Sequence, residues 1–249
     1  MILAALTLTA IGASDLVRRF VLHRGVRIVL LSLLVVAVIG LGACSAALVP
    51  AIIACVLSGL WLWTVPLDAT GRASFWPAAV LAGVVFVTTV LMPVREAPGL
   101  IGEVWSVRSP AGDLGFDVAV LALGVVLFAT ESANLVVRAV LDREGTWRPA
   151  DLGGALRGGR LRQPQPPATG FQGGRLIGPL ERILVLALTL VSAYPLLAAM
   201  LAAKGIVRFP EISKDGETGA RAEYFLVGSL VSWVTALAGA LLVWWGARS

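Results

Sequence analysis

Three residues near the middle of the chain carry its most pointed chemistry. Glu131 is followed by Asn134 and Arg138 at i+3 and i+7, positions that share one face of an α-helix. All three lie in the apolar run 117–141, and Glu131 falls about 3 Å from the middle of that run at 1.5 Å per residue. A carboxylate in hydrocarbon costs several kcal/mol unless it is protonated, paired or turned toward water. The face therefore reads as a proton or cation relay or a polar-substrate contact, or else as a buried polar network joining helices. No second acid is visible at comparable depth, and the two readings stay level.

A second group lies toward the C-terminus. Glu181 and Arg182 open an apolar run over 183–203, Lys204 and Arg208 leave it, and Glu211 and Glu223 are available to pair with them. Such a cluster at an interface could bind a phosphate headgroup or a small anion. The favoured reading is charge-paired anchoring of helix ends, with basic side chains reaching to water. Tyr194-Pro195 sits halfway along the run, where proline removes a backbone hydrogen bond and can kink a helix. Were the run split there into a re-entrant pair, both charged ends would meet on one membrane face.

The elements that must position these residues are membrane helices. Of 249 residues, 58% are hydrophobic and 14% charged, with a mean hydropathy of +0.89, whereas soluble domains average about 25% charged. A soluble globule is excluded, and no hydrophilic stretch is long enough for a separate catalytic module. Apolar runs of about 20 residues match a ~30 Å hydrocarbon layer, and they occupy 28–44, 47–65, 75–94, 117–141, 183–203 and 224–246. Residues 1–14 are apolar but, at about 21 Å as a helix, short for a crossing unless they continue into 15–20. The expected fold is all-α, a polytopic transmembrane helix bundle with six or seven spans. Its expected organisation is N-terminal transmembrane helices over 1–141, a linker over 142–175 and a C-terminal two-helix transmembrane block over 176–249.

Orientation follows from the basic residues. Placing Arg18, Arg19, Arg24 and Arg27 in the cytoplasm puts thirteen Lys and Arg inside and six outside, with Arg138 uncounted and Lys204, Arg208, Lys214 and Arg221 among the outer ones. The C-terminus is then inside. The net charge of +5 is accounted for by helix flanks meeting anionic lipid headgroups, so membrane lipids are the expected partners and nucleic acid is not. The linker, with six arginines and Gln-Pro-Gln-Pro-Pro, has the composition of a disordered basic cytoplasmic segment. Its Arg-Gly-Gly-Arg has no Gly-Lys-Ser/Thr ending of a P-loop.

Other signals resolve into packing. Cys44, Cys55 and His23 give no metal-ligand spacing, so no metal and no cofactor is expected. Leu41-Gly42-Ala43-Cys44-Ser45 is similar to a bacterial lipoprotein signal, but it lies far from Met1 and further spans follow it. Asp215-Gly216 and Ala220-Arg221 resemble part of the CDP-alcohol phosphotransferase signature. Three residues separate the pairs where that pattern has two, and no aspartate follows Asp215 to hold a metal. Gly228, Ser232, Thr235 and Gly239 form a small-residue stripe that lets helix backbones approach.

From Gly174 the chain reads Gly-Arg-Leu-Ile-Gly-Pro-Leu-Glu-Arg, then Ala-Ala-Lys-Gly-Ile-Val-Arg-Phe and Ala-Glu-Tyr-Phe-Leu-Val-Gly-Ser-Leu-Val-Ser. This block, over 174–232, resembles the C-terminal part of an uncharacterised bacterial family of polytopic membrane proteins, a domain of unknown function. The resemblance implies a multi-pass protein of the bacterial inner membrane and brings no activity. Three functions stay open. One is a structural, accessory or regulatory membrane protein with a membrane-protein partner. Another is a small transporter or permease component using Glu131. The third is a lipid-headgroup-binding or lipid-modifying enzyme built on Glu181, Lys204, Arg208 and Glu223.

Overall fold

A computed structural model describes residues 1–65, 75–92, 95, 99–109, 112–143, 174–212 and 220–248, and it is about 88% helical. The helices in chain order are α1 (Ile2–Phe20), α2 (Arg24–Cys44), α3 (Leu48–Thr64), α4 (Trp76–Leu91), α5 (Gly99–Val104), α6 (Phe116–Leu127), α7 (Ala133–Arg143), α8 (Gly174–Leu190), α9 (Tyr194–Ile212) and α10 (Ala220–Gly246). A two-stranded antiparallel hairpin, β1 (Val107–Ser109) with β2 (Gly112–Leu114), interrupts the otherwise all-α fold. A single π-turn, Phe128–Ser132, joins α6 to α7 in one continuous rod.

Among the described residues, three helical segments are long and apolar enough to cross a membrane: Arg24–Cys44, Phe116–Leu141 and Ala222–Gly246. The segments expected at 47–65 and 75–94 form shorter apolar helices, Leu48–Thr64 and Trp76–Leu91. The outer faces are apolar, with Val36, Val56, Leu91 and Leu196 among many exposed aliphatic side chains. Apolar exteriors on this scale belong to proteins solvated by lipid.

Helix α1 is the axis of the bundle. Its residues from Ile2 to Ile11 are nearly all buried, and it packs on α2, α3, α4 and α6. The apolar segment 1–14 thus continues without a break into 15–20. Its tightest neighbour is α6, and glycine makes that possible. A Cβ on Gly12 would lie 2.6 Å from the Leu127 carbonyl carbon, and one on Gly124 would lie 2.9 Å from the Ala5 carbonyl oxygen. Small residues at such crossings replace the hydrophobic drive that lipid removes.

The run 183–203 is not one helix. Helix α8 ends at Leu190, Ser192 takes a left-handed φ of 58°, and α9 starts at Tyr194 with Pro195 in its first turn. Proline has no backbone N–H to lose there, so it begins a helix instead of kinking one. The short turn makes α8 and α9 a helical hairpin, whose α8 arm packs along α10. The linker read at 142–175 lies, over 144–173, outside the described residues.

Candidate functional site

The π-turn is the scaffold of the site. A wide turn pairs its backbone groups out of the α-helical register and leaves carbonyls to other donors. Here the Leu127 carbonyl accepts from Thr130 Oγ1 at 2.5 Å, the Ala129 carbonyl from Arg182 Nη1 at 2.8 Å and the Thr130 carbonyl from Asn134 Nδ2 at 3.1 Å. Side chains from two helices thus hold open the turn that carries Glu131.

Around this turn three helices bring polar residues to one depth. Asp15 lies about 20 Å along α1 from Ile2, Glu131 about 22 Å along its rod from Phe116 and Ser232 about 21 Å along α10 from Gly246, at 1.5 Å per residue. Those starting points share one end of the bundle: a Cβ on Gly246 would lie 3.0 Å from Met1 Sδ, and α1 runs alongside α6 in the same direction, Thr9 meeting Val120 and Gly12 meeting Leu127. The polar residues therefore form a layer.

Asp15 is fully buried. Its Oδ2 accepts from Ser132 Oγ at 2.7 Å and from Trp61 Nε1 at 2.9 Å, while Oδ1 has only the Arg18 guanidinium at 3.8 Å. Arg18 itself turns to the C-terminal carbonyls of α3, donating to Leu62 at 3.2 Å and Val65 at 2.8 Å, where the helix dipole favours a cation. Glu131 Oε2 accepts from Asn134 Nδ2 at 3.3 Å, and its Oε1 lies 3.4 Å from Arg19 Nε. Among the described residues, Asp15 Oδ1, Glu131 Oε1 and Arg19 Nε are buried with no hydrogen-bond partner.

Arg182, 3% exposed, closes the layer from the hairpin. Besides the Ala129 carbonyl it donates to Ser232 Oγ at 2.8 Å and to Asn134 Oδ1 at 2.7 Å. Asn134 therefore bridges Arg182 to Glu131 through its amide. All three acceptors of this buried guanidinium are neutral, so its charge is balanced at longer range by Glu131 and Glu181.

One residue back along α8, Glu181 faces the other way. Its carboxylate holds Lys204 of α9 at 2.6 and 2.7 Å and accepts from Trp233 Nε1 at 2.6 Å. The Lys204 ammonium also stands over the Trp233 and Phe225 rings, 5.2 and 5.6 Å from their centres. This ion pair latches the hairpin to itself and to α10.

The structure thus brings Glu131, Asn134 and Arg182 into one network and Glu181 and Lys204 into a neighbouring one. Two expectations are corrected. Arg138 is exposed, because the wide turn rotates the chain less per residue and carries i+7 off the Glu131 face. Lys204 pairs with Glu181 across the hairpin, since the break after Leu190 folds α9 back along α8. Glu223 is exposed in the first turn of α10, and the side chains of Arg208 and Glu211 lie outside the described residues. The residues the sequence reading missed are Asp15, Arg19, Ser132 and Trp61.

No three His, Cys, Asp or Glu converge as metal ligands among the described residues. An apolar groove of about 580 Å³ runs between α4, the α6–α7 rod and α10, and Thr235 is the one polar side chain in its lining. It offers a substrate almost no hydrogen bonds, which leaves the chemistry to the buried layer. Compared with protein-family models, with curated proteins and with solved structures, the chain has no match.

Proposed function

We propose that this protein is a proton-coupled membrane component, a small carrier or permease subunit, in which the buried acids Asp15 and Glu131 take up and release a proton. One observation carries the reading. Two acids from different helices stand in one buried layer, and one oxygen of each has no hydrogen-bond donor among the described residues. A network serving only to join helices gains by satisfying every buried acceptor. The arginines around the acids disfavour a metal cation, and a proton is the cation such a site accommodates with least rearrangement.

The proposal includes a topology. Helices α1 to α4, the α6–α7 rod and α10 cross the bilayer, and the α8–α9 hairpin enters and leaves by the same face. Sixteen of the twenty Lys and Arg residues then fall on the face of Phe20, against Arg95, Arg108 and Arg248 on the other, with Arg138 uncounted. A single crossing at 183–203 divides them only thirteen to six, so the positive-inside tendency supports the hairpin and places the C-terminus outside. The bacterial inner membrane, implied by the resemblance over 174–232, is the setting this reading adopts.

The test is proton flux into proteoliposomes carrying a trapped pH dye under a potassium diffusion potential. Wild-type protein acidifies the vesicles faster than empty controls, and Glu131→Gln, extracted folded in equal amount, falls to the control rate. Full flux in that variant, or none in the wild type, refutes the reading.

A second reading, an accessory subunit, is favoured by α9. Its Leu196, Ile206, Val207 and Phe209 are exposed, and its main packing is on α8 and α10 alone. Native mass spectrometry of the mildly extracted protein tests it, and a monomer without partners counts against it. The lipid-enzyme reading loses support, because Glu181 already neutralises Lys204.

A further inference from the structure

We infer that Arg19 is the movable cation of the buried layer: it pairs with Glu131 when the acid is ionised and swings to water when a proton takes its place. The inference rests on the proton-exchange reading above and names the residue that makes the exchange possible.

The cations near Glu131 differ in how they are held. Arg182 is buried and pinned by three hydrogen bonds of 2.7 to 2.8 Å to Ala129, Asn134 and Ser232, and it reaches Glu131 only through the Asn134 amide. Arg18 is fixed on the α3 carbonyls. Among the described residues, Arg19 alone faces Glu131 Oε1 directly, at 3.4 Å. Its Nε and that oxygen are both buried without a hydrogen bond, so the contact is electrostatic and lacks the geometry that would lock it. The Arg19 side chain as a whole is 26% exposed, one residue before the end of α1, so a rotation about its flexible stem carries the guanidinium to solvent.

Charge conservation gives this arrangement its use. A proton from water bonding to Glu131 Oε1 adds one positive charge to a site where charge is costly. Arg19 leaving removes one, and the layer keeps its net charge through the cycle. The other ionisable groups facing Glu131 stay in place: Asp15 on α1 is held by Ser132 and Trp61, and Arg182 on α8 by its three acceptors. Glu181 faces Lys204, α3 and α10 contribute the uncharged Trp61 and Ser232, and Arg138 on the rod itself is exposed.

Labelling by a hydrophobic carbodiimide tests this without reference to transport. The reagent adds whole to a protonated carboxyl in apolar surroundings, the carboxyl proton passing to its nitrogen, and mass spectrometry reads the adduct on Glu131. At neutral pH, Arg19→Gln raises Glu131 labelling about tenfold over wild type, because the charge that directly faces the ionised acid is lost; Arg19→Lys gives a smaller rise. Equal labelling in wild type and Arg19→Gln overturns the inference, as does a rise confined to Arg182→Gln. Should Arg19→Gln fail to fold, phenylglyoxal modification of wild-type Arg19, taken as a ratio to exposed Arg138 in the same sample, increases as pH falls; a constant ratio overturns the inference. If flux is unaffected by Glu131→Gln while labelling responds to Arg19, the transport reading falls and the role of Arg19 stands.

Discussion

The bundle holds two buried acid–arginine sites, one near each end, and they are built in opposite ways. At the end that carries Met1, Asp117 lies in the first turn of α6, where the helix dipole favours an acid. Arg95 grips it with a two-pronged bond at 3.1 and 2.8 Å and uses Nη1 to hold the Ser45 carbonyl at the end of α2. Both carboxylate oxygens are satisfied, and the pair fastens the α2 end to the rod. In the layer around Glu131, more charges converge, one oxygen of each acid has no hydrogen-bond donor among the described residues, and the closest acid–cation contact lacks hydrogen-bond geometry. The contrast teaches that burial of charge does not by itself mark a site. The first pair is complete and has nothing left to do, whereas the second is incomplete in a way that a proton can relieve.

Substitutions can break or sharpen this contrast. The largest loss of stability is expected from Arg95→Ala, which strands buried Asp117 and costs about 3–5 kcal/mol, read as unfolding in mixed detergent; a cost near zero would erase the distinction. Next, Gly12→Val forces a branched side chain against the Leu127 backbone and costs about 1–3 kcal/mol by overpacking, the same assay deciding. Ser132→Ala removes one of the two donors to Asp15 and costs about 1–3 kcal/mol, so it should fall below Arg95→Ala. Glu131→Gln comes last, within about 1 kcal/mol of wild type, because it removes an under-satisfied charge. A Glu131→Gln cost as large as that of Arg95→Ala would make the layer a second fastener.

Much of this was legible. Glu131 and Asn134 meet at helical spacing, and the apolar runs 28–44, 117–141 and 224–246 coincide with the membrane-length helices among the described residues, whereas 183–203 straddles the break between α8 and α9. Arg138 was misplaced because periodicity assumes a uniform helix, and nothing in Phe-Ala-Thr-Glu-Ser announces a wide turn. Asp15 enters the sequence reading only as the start of the stretch 15–20 into which the apolar segment 1–14 has to continue. Its position three and four residues ahead of Arg18 and Arg19, on the same face of a helix continuing 1–14, was the available signal that it lies inside. The hairpin was foreseen only as a condition attached to Pro195. The break falls at Ser192, whose left-handed backbone no residue type there predicts. Arg182 reads from sequence as an interfacial anchor, and only the packing of α8 along α10 puts it in the interior.

The π-turn has one more implication. It is a phase change within a single rod: the half before it is cut to fit α1 and the half after it to fit α10, while α8 packs on the turn itself. A uniform helix of the same residues would turn one of those halves away from its neighbours. Shortening the chain by one residue within 128–132 would make the rod a uniform helix and leave each half on its neighbours with Arg138 outside, so what a deletion would remove is the spare Ala129 carbonyl that Arg182 holds.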